Sequence, residues 1–225
     1  MRSSSGLHNR RNIGLEKIIL HVPPIPKIIR MFAYDMKKKR HYILVDAEYA
    51  ESVAVRLRAH YAKVLGREMP LLDLADWLTC CALDCGLQQG ENEIEVCIFH
   101  KPEKERMDNF IPSDLKAELD KQGFDIPGLA DFTVNCVAKE DIVEGAPLPI
   151  QAALFILHDK GQGAITLIAN AGEYIQDLQQ AATEAPGHPF TIMDMEQKMG
   201  TPGHVVLGFS MVHAMGLSQQ DLQRG

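Results

Sequence analysis

The chain has 225 residues, 46% hydrophobic and 24% charged, with a formal net charge of −7. This is ordinary globular composition with enough apolar material for one sizeable core, so disulfide or metal staples are not required. No stretch approaches the roughly 20 apolar residues that span a bilayer.

Charge divides the sequence. Residues 1–40 carry ten Lys/Arg against Glu16 and Asp35, or +8; residues 41–225 carry 13 basic against 28 acidic side chains, or −15. An acidic domain repels polyanions, which argues against a general nucleic-acid-binding surface and leaves only a local basic groove for that role. Met1–Arg11 has the Ser/Arg/Asn composition of disordered chain. Ile18–Arg30 is apolar but interrupted by Pro23, Pro24 and Pro26, which prevent a continuous helix. It lacks the compact apolar core and small-residue cleavage pattern of a secretory signal. Met31 is an alternative start, since recognisable domain pattern begins at Tyr42. The expected organisation is a basic extension over 1–40, a single α/β domain over 41–218 and a tail over 219–225. The expected location is the cytoplasm, with no membrane association.

From Tyr42 onward, short apolar runs alternate with helical patterns. Predicted strands are Tyr42–Val45, Ile94–Phe99, Phe132–Val137, Ile165–Ala169 and Phe190–Met193. Most are continuous apolar runs of four to six residues, the pattern of strands buried on both faces of a parallel sheet. Between them lie predicted helices at Ala50–Leu65, Leu71–Cys85, a short one from Asp114 to about Lys121, Pro149–His158, Glu173–Ala185 and Gly203–Met215. The alternation predicts a three-layer α/β/α sandwich around a mainly parallel sheet of about five strands.

Cysteines number five, with Cys80, Cys81 and Cys85 in one segment and Cys97 and Cys136 in predicted strands. No CxxC pair is present, so reduced thiols without zinc are expected. His158, His204 and His213 are scattered, with His213 read as a packed side chain on an apolar helix. Trp77, between Leu74 and Leu78, is read as core. Neither Gly86–Asn92 nor Gly161–Gly163 has the Lys-Ser/Thr and following helix of a phosphate loop; both read as turns.

Ligands of open parallel sheets bind beyond the carboxyl ends of the strands. The residues there are Asp46 and Glu48, His100 and Lys101, Lys139–Asp141, Asn170–Glu173, and Asp194. Carboxylates converging at such ends suit a hard divalent cation, Mg²⁺ or Mn²⁺. Asp46 and Glu173 are the leading candidates, with Asp84 and Glu48 as substitutes and Gln151, Asn170 and Asp194 as further strand-end positions. The competing reading is that Asp and Glu at these places cap the following helices.

Two stretches together resemble the NYN branch of the PIN-like nucleases. One is Ile43-Leu44-Val45-Asp46-Ala47-Glu48-Tyr49, a hydrophobic strand closed by an acid. The other is Ile165-Thr166-Leu167-Ile168-Ala169-Asn170-Ala171-Gly172-Glu173-Tyr174, followed by a helix and then Phe190–Met193. Element order agrees over residues 42–216. The resemblance implies an Mg²⁺- or Mn²⁺-dependent ribonuclease fold in which Asp46 matches, Glu173 replaces one acid conservatively, and Gln151 and Ala171 stand where acids are expected. It therefore implies a degenerate member, binding RNA or a protein partner. The middle of the chain, from Asp76-Trp77-Leu78 to Glu118-Leu119-Asp120, also resembles an uncharacterised bacterial family.

Overall fold

The computed structural model describes residues 39–85, 87, 92–139, 146–159, 162–195 and 203–223. Met1–Arg30, Gly161 and all of Gly86–Asn92 except Leu87 and Asn92 lie outside the described residues, and so do the expectations placed on them.

The first strand, β1 (Lys39–Asp46), begins within the stretch assigned to the extension. Tyr42–Val45 is buried throughout, as a strand covered on both faces requires. It runs into α1 (Ala47–Leu65), which Asp46 caps and Gly66, at φ +64°, ends in the left-handed conformation. A two-residue strand, β2 (Leu72–Asp73), precedes α2 (Leu74–Asp84). Then come β3 (Asn92–His100) and β4 (Phe110–Ile111). A π-helical turn at Leu115–Leu119 follows. Next are β5 (Gly123–Ile126), β6 (Ala130–Ala138), α3 (Leu148–His158) and β7 (Ala164–Ile168). The 3₁₀ turn Gly172–Tyr174 leads into α4 (Ile175–Glu184). The chain closes with β8 (Phe190–Asp194), β9 (His204–Val206), α5 (Leu207–Ala214) and α6 (Gln219–Leu222).

The main sheet has seven strands in the order β5-β6-β3-β1-β7-β8-β9, all parallel except β5, which runs antiparallel to β6. The five predicted strands form its contiguous centre. The expectation of about five is corrected by two short edges: β5 lies just after the helix expected to about Lys121, in a stretch assigned no element, and β9 takes the start of the helix expected at Gly203. Likewise β2, paired with β4 in a separate two-stranded sheet, takes the start of the helix expected at Leu71. Edge strands of two to four residues carry too little apolar periodicity to be read from sequence.

Side-chain alternation along β1 splits the core. Ile43 and Val45 join α1, α2 and α5 in one cluster with the fully buried Trp77 and Phe110, whose rings lie 5.0 Å apart. Leu44 and Leu167 are buried outside that cluster, where α3 meets β1 and β7. Helices therefore cover both faces of the central strands. Each fully buried aliphatic side chain contributes about 1.5–3 kcal/mol, which makes this central block the main source of stability. The expected tail contains α6, where Ser218 and Asp221 form a reciprocal cap and Asp221 pairs with Arg67 at 3.5 Å.

Candidate functional site at the carboxyl end of the central strand

From β1 the chain moves outward through β3 and β6, then returns to the other side of β1 at β7 and moves outward again through β8 and β9. The reversal makes the carboxyl ends of β1 and β7 the switch point of the sheet, where an open parallel sheet usually has its ligand crevice. The turn from β1 to α1 reads Val45-Asp46-Ala47-Glu48 and has no glycine. It therefore lacks the close backbone approach that cradles a dinucleotide pyrophosphate.

Asp46 ends β1 and does two things. Its Oδ1 accepts from the Tyr49 amide at 3.2 Å, capping α1, and from the Lys139 ammonium at 2.9 Å. Glu48, in the first turn of α1, accepts from Lys139 through Oε2 at 2.5 Å and from the Lys101 amide through Oε1 at 3.1 Å. Lys139 stands just beyond β6, where its own amide donates to the His100 carbonyl at 2.6 Å. The three carboxyl ends of β1, β3 and β6 are thus stitched together by one ammonium between two carboxylates. All three side chains are only 16–22% exposed, so their attraction is screened less than that of a surface pair.

The other expected residues separate from this group. Glu173 is exposed in the 3₁₀ turn after β7, next to exposed Asn170 and fully buried Ala171. Gly172 turns the chain there at φ +45°, a conformation that favours glycine. Gln151 is buried in the first turns of α3, where its carboxamide donates to the Ala146 carbonyl at 2.6 Å and secures the incoming chain. Asp84 ends α2, and His213 of α5 acts on its carboxyl electrostatically. Asp194 ends β8 buried, its Oδ1 2.6 Å from His204 Nε2. Among the described residues, no group of three or more His, Cys, Asp or Glu is arranged to hold a metal ion.

In the sequence Lys139 is only a residue following a strand, with no role to mark it. Its one signal was a cation at a strand end opposite the acids of another. His204 and His213, scattered in the sequence, each meet a partner, and His213 is exposed rather than packed as expected. The five cysteines are all unpaired thiols. No described helix is long and apolar enough to cross a membrane.

No curated protein and no solved structure matches this chain. Residues 35–222 match the family of unknown function DUF6621, a span that contains every strand and helix described above. The chain belongs to that family.

Proposed function

We propose that the chain is a PIN/NYN-like domain of three-layer α/β/α type, catalytically degenerate, which acts as a binding or assembly module at the crevice beside β1. The observation that carries this reading is Lys139. A hard divalent cation needs several anionic oxygens free to replace its water. At the carboxyl end of β1 the two available carboxylates, Asp46 and Glu48, already share one ammonium, at 2.9 and 2.5 Å, which cancels half of their charge and occupies an oxygen of each. The arrangement therefore does not fit such a cation as it stands, and no step is assigned to one. Ala171 and Gln151, at positions where the fold family would place acids, are a buried methyl and a carboxamide committed to Ala146. The strand order and the acid-terminated first strand support the fold side of the proposal.

A metal-dependent ribonuclease is the second reading, favoured by Asp46 and Glu48 standing together at the crevice. The two part on one experiment: single-stranded RNA incubated with the protein and Mn²⁺, beside Asp46→Asn. The expected outcome is no cleavage by either protein above background. Robust cleavage by the parent that disappears in Asp46→Asn would establish the nuclease and end the degenerate reading.

A further inference from the structure

We infer that Cys80 is a nucleophilic modification site for soft electrophiles, with His213 as the acceptor of its proton and the nearby Asp84 as a charge that favours the protonated imidazole. The site lies on the α2–α5 helix pair, away from the strand-end cluster, and the inference is independent of the function proposed above.

Three side chains from two helices build it. Cys80 Sγ lies 3.2 Å from His213 Nδ1. Asp84 is four residues beyond Cys80 on α2, hence on the same helix face, and its carboxylate interacts with His213. Asp76, one turn before Cys80, is the other charge acting on the thiol. Cys80 is half-buried and His213 exposed, so a small reagent reaches the sulfur without unfolding the helix pair. Leu83 and Phe209, 50% and 67% exposed, lie on these same two helices within a turn or so of the pair and give an incoming carbon chain apolar surface.

The other four thiols provide the contrast. Burial pushes Cys85 up to about 11 and Cys97 and Cys136 to about 12, and holds fully buried Cys81 well above the ordinary thiol range. Cys81 Sγ donates to the Ser210 hydroxyl at 3.5 Å, which is no base. Cys80 is also raised, by partial burial and then by Asp84 and Asp76. It therefore rests as a thiol, and its reactivity depends on a base that takes the proton as the sulfur attacks. Among the described hydrogen bonds, only Cys80 has such a base at bonding distance. With iodoacetamide the balance is simple. The S–C bond forms as the C–I bond breaks, iodide leaves, and the thiol proton passes to His213 Nδ1, where Asp84 stabilises the imidazolium.

The test is alkylation of the folded full-length protein by iodoacetamide, followed residue by residue by mass spectrometry from pH 6 to 11. Cys80 is expected to react at least about tenfold faster than any other cysteine at pH 7. His213→Gln should slow it about tenfold or more at pH 7, with little effect near pH 11, where the thiolate forms without help. Asp84→Asn should give a smaller loss with the same pH dependence. Equal rates for Cys80 and Cys136 at pH 7 would overturn the proposal. So would a His213→Gln rate unchanged at pH 7, or reduced equally at every pH, since that pattern reports access rather than proton transfer. His213 is exposed, so the variant is expected to melt with the parent, and circular dichroism checks this.

Discussion

Asp46 and Asp194 each end a parallel strand of one sheet, yet their surroundings give them different work. Asp46 is 17% exposed, shares the Lys139 ammonium with Glu48 and caps a helix. Asp194 is 2% exposed and lies 2.6 Å from the imidazole of His204, itself 6% exposed. The first cluster is partly open to solvent and its counter-charge arrives on a flexible stem. The second is sealed between two strands, where an uncompensated charge costs several kcal/mol. An acid at a strand end is thus a signal of function only when solvent and partners can exchange there.

The largest expected effect tests the sealed side. His204→Ala leaves the Asp194 carboxylate buried without its imidazole and should cost about 3–5 kcal/mol, seen in chemical denaturation, whereas His204→Gln should recover part of that loss. A cost below about 1 kcal/mol would mean that water or another partner already compensates Asp194, and the contrast with Asp46 would collapse.

A second buried imidazole sharpens the comparison, because its partner carries no charge. His41 Nε2 lies 2.7 Å from the Thr166 hydroxyl, and burial pushes the ring down to about 4. The unfolded chain takes up a proton as the pH falls through about 6.5, while the folded chain resists until about 4. The contribution is therefore fully present above pH 6.5 and is lost as the pH falls from 6.5 toward 4, by about 3 kcal/mol in all. Glu95 acts with the opposite sign. Burial pushes its carboxyl up to about 7, so the folded chain holds that proton longer, and stability present at low pH is lost as the pH rises toward 7. His41→Gln should remove only the first slope. The parent-minus-variant stability is expected to grow by about 3 kcal/mol between pH 4 and 7; a flat difference would show that the ring is hydrated.

The smallest effect belongs to the open cluster. Lys139→Met leaves Asp46 and Glu48 facing each other without their cation, at a cost of about 1–2 kcal/mol. The same change frees two carboxylates, so Mn²⁺ titrated into Lys139→Met should bind more tightly than to the parent by calorimetry. Equal metal affinity in the two proteins would show that Lys139 does not govern the site.

The central fold was legible because burial on both faces leaves a mark in one dimension. Ile43-Leu44-Val45 and Ile165-Thr166-Leu167-Ile168 are continuous runs, and each became a central strand. What escaped was short or decided by neighbours: β9, three residues held by β8, and β5, four residues held by β6. Of the candidate site, Asp46 and Glu48 were visible as acids after a strand. That Lys139, 93 residues from Asp46, would pair with them was not visible, because such a pairing depends on β6 lying two strands away from β1.

By itself the sequence determined the alternating α/β order, the five central strands and an acid closing the first of them, since hydrophobic period and helix caps are local properties. Only the tertiary structure decided which acids meet cations, which histidines are sealed and which thiol faces a base. Those outcomes depend on distances between residues far apart in the chain, and Coulomb and hydrogen-bond energies change by whole kilocalories over an ångström or two at low dielectric.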